Sequence, residues 1–173
     1  MPFTGFTSET GEFLWELAFH NEKPWFEAHK EQFLLAVKEP FDALAKETLA
    51  LMRQKYPDEP YCLHISRIYR DARRLFGRGP YKDHLWFTLW TGEDRHNSPV
   101  FWFELSPASF SYGVGFYTAT AEQMAALRRY IDANPAEMER LAKRVAKSEF
   151  HLEGEPYKRL KKDVGEVLNP WYN

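Results

Sequence analysis

Between residues 100 and 116 the chain carries two runs of alternating side chains whose phases agree about a single turn, and no other feature constrains the fold as tightly. Phe101, Phe103 and Leu105 alternate with Trp102 and Glu104, while Phe110, Tyr112, Val114 and Phe116 alternate with Ser111, Gly113 and Gly115. Successive side chains on a strand point to opposite faces. If Ser106-Pro107-Ala108-Ser109 turns the chain, Leu105 falls opposite Phe110, Phe103 opposite Tyr112 and Phe101 opposite Val114. All three apolar pairs then share one face, with Glu104 against Ser111 and Trp102 against Gly113 on the other. A slip of one residue would send the whole set to the wrong side, so the agreement predicts an antiparallel hairpin.

The run from His84 to Trp90 reads as a third strand joined through the polar loop 91–99, with Leu85, Phe87 and Leu89 toward the core and Trp86, Thr88 and Trp90 on the opposite face. Tyr61 to Tyr69 reads as a fourth, although Arg67 then falls on its apolar side. The flanks have helical spacing. Phe13, Leu14 and Leu17 mark a helix over 9–19, and Pro24-Trp25-Phe26 opens a second. Phe41, Leu44, Ala45, Thr48, Leu49 and Met52 mark a third, starting after Pro40 and ending near Pro57. Beyond the sheet, Thr120 and Gln123 have capping-box spacing ahead of Met124, Leu127 and Ile131, and Pro135 opens a further helix to about Lys147. The expected fold is a single α+β domain over 1–173, an antiparallel sheet of at least three strands covered by N-terminal and C-terminal helices. Its parts are a helical segment 8–57, a sheet with a basic loop 61–117, a helical segment 120–147 and an extension 148–173. The runner-up is a mixed sheet, with the Tyr61 strand beside a C-terminal strand near Phe150 to Leu152.

Charge is unevenly spread. The net value of −2 disfavours a nucleic-acid binder, yet residues 61–84 alone carry 6 Lys/Arg against 2 Asp/Glu, whereas residues 1–60 carry 6 against 11. Apolar runs such as Leu85–Trp90 are far shorter than the roughly 18 residues of a membrane span, and the N-terminus lacks the pattern of a signal peptide. Cys62 is the only cysteine, which excludes an intrachain disulfide and fits a reducing compartment, so the expected setting is the cytoplasm. Ligand-like His or Cys spacings, a phosphate-binding glycine loop and a nucleophile elbow are all missing, and neither metal nor cofactor is implied.

The candidate site is the basic segment itself. Arg67, Arg70 and Arg73, with Lys82 beyond Gly79-Pro80, offer planar and point-charge donors suited to phosphate or carboxylate, with Tyr81 and His84 shaping the pocket. Some of these arginines are equally suited to pairing with acidic helices. A second candidate is the face opposite the apolar hairpin pairs, where Trp86 and Trp102 form an aromatic shelf near Gly113 and Gly115, with His84 at its edge; ordinary cross-strand cover of Gly113 by Trp102 is the plainer expectation.

Arg67-Ile68-Tyr69-Arg70-Asp71, Arg73 and Pro80-Tyr81-Lys82 resemble the signature of a bacterial and fungal family, domain of unknown function 2461. Arg74 stands where that family often has phenylalanine. Phe3-Thr4-Gly5-Phe6, residues 21–30, Gly113-Val114-Gly115, Gly154-Glu155 and Lys158-Arg159 fit it too, and the resemblance implies no activity. Three functions follow from the residues. The leading one is binding of a small anionic, phosphate-bearing ligand by the arginine-rich loop. The second is an enzyme acting on such a ligand with Asp71 and His84 as acid and base. The third is a basic interaction module for an acidic protein, with a nucleic acid the least favoured partner. Oligomeric state is left open.

Overall fold

A computed structural model describes every residue except Met1, Phe76, Glu155 and Pro156, and of Arg74 the backbone alone; Glu155, part of the family resemblance, and the Arg74 side chain, where the chain departs from it, therefore lie outside the described residues. The chain gathers into two compact units, Met1–Tyr117 and Thr118–Asn173.

The first unit is an antiparallel four-stranded sheet, β1 (Cys62–Ile65), β2 (Leu85–Trp90), β3 (Val100–Leu105) and β4 (Phe110–Gly115), in the order β1-β2-β3-β4. The hairpin has the register that the alternation demands: Leu105 pairs Phe110, Phe103 pairs Tyr112, Phe101 pairs Val114 and Trp102 pairs Gly113. Ser106 closes the turn, its N–H and hydroxyl both donating to the Ser109 carbonyl at 2.9 Å. The α+β expectation holds. The mixed-sheet alternative does not, because β1 pairs β2 antiparallel and residues 150–152 form no strand.

β1 is shorter than expected, and Ser66 explains why. Its N–H donates to the Trp86 carbonyl at 2.8 Å, but the Trp86 N–H donates to the Ser66 hydroxyl at 2.9 Å rather than to a backbone carbonyl. The ladder lapses there and the phase slips, so that Ile68 is buried and Arg67 exposed.

Helices cover the inner face of this sheet: α1 (Ser8–Phe19), α2 (Lys23–Ala28), α3 (Lys30–Phe33), a π turn (Leu34–Lys38) and α4 (Glu39–Lys55). Phe41 of α4 packs edge-on to Phe87 at 5.7 Å, and Phe6 stacks on Phe103 at 6.3 Å. Phe13, Leu14, Leu17, Phe26, Val37, Leu85 and Leu105 belong to the same core. Burial fades toward the free edge, where Phe110 is 61% exposed although its partner Leu105 is 7% exposed.

Pro40 does not open a helix; it lies inside continuous helix from Lys30 to Lys55. A proline lacks the N–H that would bond the carbonyl four residues back. Here that carbonyl belongs to Ala36, and the buried Thr10 hydroxyl of α1 donates to it at 2.7 Å. The π turn just ahead of Pro40 shifts the helical register at the same place.

The second unit holds α5 (Ala121–Ala133), α6 (Pro135–Val145) and α7 (Asn169–Tyr172). The Thr120–Gln123 capping box forms on both sides, at 2.7 and 3.2 Å. Ile131, Met138, Ala142, Leu168 and Tyr172 make its core, so the aromatic C-terminal residues dock within their own unit. Among the described residues no helix is long and apolar enough to cross a membrane.

Candidate functional site

Much of the basic segment is committed to holding itself in place. The Ile68 carbonyl accepts from the Lys82 N–H at 2.7 Å, the Pro80 carbonyl from the Arg70 N–H at 2.8 Å, and Tyr69 and Tyr81 form an antiparallel bridge. Asn21 extends this pairing like a piece of strand, accepting from the Tyr81 N–H and donating to the Tyr81 carbonyl, both at 2.9 Å. A Cβ at Gly79 would overlap Asn21, so only glycine admits that approach. Arg70 completes the clamp: its Nε donates to the same Tyr81 carbonyl at 2.7 Å, and its guanidinium lies 3.5 Å from Asp83.

Several predicted site residues therefore have structural partners. Tyr81 is 1% exposed, stacked on Phe26 at 4.1 Å, and burial raises its phenol above the ordinary range. Arg73 grips Asp71 in bidentate fashion at 3.0 and 2.7 Å, while the Asp71 carboxylate also accepts from the Arg73 N–H at the 3₁₀ turn Ala72–Arg74. His84 is bonded to Asp83 at 3.0 Å.

The remaining cations converge on the outer face of the sheet. Register sets three rows across it. One runs His64–Thr88–Trp102–Gly113, flanked by Trp86–Glu104–Ser111 and by Cys62–Trp90. Lys82 stands 5.7 Å over the Trp86 ring, and Arg95, from the loop after β2, lies 5.5 Å over the same ring and 6.0 Å over Trp90. His64 packs against Trp86 at 5.2 Å. Among the described residues none of Arg67, Lys82 and Arg95 forms an ion pair.

The electrostatics record the crowding. The Lys82 ammonium is pushed below its ordinary range by burial, then by Arg70 and Arg67, with Glu104 opposing. His64 is held below its ordinary value by burial, then by Arg95, Lys82 and Arg67. A half-buried patch of positive charge, only partly offset by Glu104, beside a neutral imidazole is suited to an anion. By contrast, an open recess of about 410 Å³ lined by Glu9, His29, Glu31, Gln32 and Leu35 offers no lysine or arginine.

Of the residues expected from sequence, the structure thus brings Arg67, Lys82, Trp86 and Trp102 to one face. Thr88 and Trp90 share that face as the alternation demands, and the structure adds His64 and Arg95. His64 was legible from its alternation with Leu63 and Ile65; Arg95 sits in a loop whose sequence announces only a connection.

The family model described as conserved hypothetical protein (DUF2461) matches residues 9–167. The chain belongs to this family. Membership in DUF2461 covers both units and includes the Arg67–Lys82 signature, most of which serves the clamp around Tyr81. No curated protein and no solved structure matches the chain.

Proposed function

We propose that the protein binds a small anionic ligand, with phosphate esters the best-suited class, on the basic and aromatic outer face of its sheet. The observation that carries this reading is the grouping of Arg67, Lys82 and Arg95 around His64 and Trp86, none of them in an ion pair among the described residues, with Glu104 only partly offsetting Lys82. Lys82 is the principal point charge, because its burial makes an opposite charge worth more there than in open water. Arg95 supplies a planar donor from the loop after β2, over the Trp86 ring. Arg70 acts indirectly, by holding the Tyr81 backbone and so the start of Lys82. The cytoplasm is the proposed setting, in keeping with the free, exposed Cys62.

Calorimetric titration with inorganic phosphate and pyrophosphate tests the reading. Lys82→Met should weaken binding by about 1–3 kcal/mol, the scale of a lost charge-assisted hydrogen bond, with little change in melting temperature. Arg95→Ala should weaken it similarly. Undiminished affinity in both variants would refute the assignment.

A further inference from the structure

Thr88 presents the feature of this face that packing does not explain. The residue is 8% exposed, and its hydroxyl oxygen is shut off from solvent with no hydrogen-bond partner among the described residues. Register surrounds it with aromatic rings: Trp86 and Trp90 two residues away along β2, His64 opposite on β1 and Trp102 opposite on β3. The Trp90 indole N–H is also buried, with no hydrogen-bond partner among the described residues. A surface evolved only to pack would carry valine at 88, since an unsatisfied buried hydroxyl is destabilising.

Trp102 supplies the remaining element. Its ring lies against the Gly113 backbone, with Cζ2, Cε2 and Nε1 3.0–3.1 Å from where a Cβ would stand. One face of the indole is thereby packed on β4, and the half-exposed remainder is left to a ligand. Flat rings stack on such surfaces more favourably than saturated rings of equal bulk.

We propose that the ligand joins its anionic group to a flat ring carrying a hydrogen-bond acceptor, with the anion at Lys82 and Arg95, the ring against Trp102 and the acceptor toward the Thr88 hydroxyl and Trp90 N–H. This rests on the anion reading above and sharpens it. Because the Thr88 hydroxyl is shut off from solvent, the surrounding rings must move apart as the ligand seats.

Four probes separate the two ideas by calorimetry on the intact protein: inorganic phosphate, cyclohexyl phosphate, phenyl phosphate and its ring-nitrogen analogue 3-pyridyl phosphate. Phenyl phosphate should bind about tenfold more tightly than cyclohexyl phosphate, and 3-pyridyl phosphate several-fold more tightly again. Trp102→Leu should erase the first increment and Thr88→Val the second, with a cooperative melting transition in each variant certifying its fold. Equal affinity for the phenyl and cyclohexyl esters in the parent protein would overturn the flat-ring proposal while leaving the anion site standing. Failure of all four to bind would overturn the anion site and this proposal with it.

Discussion

Two threonines of the first unit are buried in opposite circumstances. The Thr10 hydroxyl donates to the Ala36 carbonyl that Pro40 leaves without its helical partner, whereas the Thr88 hydroxyl has no hydrogen-bond partner among the described residues. The same near-isosteric change should therefore act with different sign. Thr10→Val strands a buried carbonyl and should cost about 1–3 kcal/mol in urea denaturation. Thr88→Val removes an unsatisfied group and should leave stability unchanged or raise it by up to about 1 kcal/mol. Equal losses at the two positions would contradict these assignments. The contrast also shows why local sequence misleads at Pro40: a proline ends a helix only if the orphaned carbonyl finds no other partner, and the partner lies 26 residues away in α1.

At the level of elements, the segment between β1 and β2 is a clamp whose parts converge on the Tyr81 backbone. Arg70→Ala removes a charged donor to a carbonyl and should cost about 1.5–3 kcal/mol of stability. Gly79→Ala should disrupt the Asn21 contact and lower the melting temperature by several degrees. Melting temperatures near that of the parent in both variants would show that the clamp carries little energy. The hairpin was legible because two independent alternations had to meet at one turn. Other parts were not. Ser66 replaces a carbonyl with its own hydroxyl and shifts the phase, which is why Arg67 breaks the sequence alternation. The arginine run looked like one site, yet Arg70 and Arg73 have partners that only folding brings together or orients, while Arg95 comes from a separate loop.

Taken as a whole, the protein is slightly acidic and still concentrates, on one face of one unit, cations that form no ion pair among the described residues. That concentration has a pH signature. The fold holds His64 below its ordinary value of 6.5, through burial and then Arg95, Lys82 and Arg67, so the unfolded chain takes up this proton first. The stability contributed by neutral His64 is complete above about pH 6.5 and is lost as pH falls from there toward the depressed folded value. His64→Gln should flatten this part of the stability profile, and bound phosphate should protect against acid by offsetting the cations. An identical acid limb in His64→Gln would contradict the electrostatic account. The most direct measurement of the central claim uses the 6 tryptophans as reporters, by following their indole N–H resonances during titration with phosphate. Saturable shifts at Trp86 and Trp90, with Trp15, Trp25 and Trp171 unmoved, are the predicted result. No saturable shift at Trp86 or Trp90, or shifts confined to the other tryptophans, would contradict it.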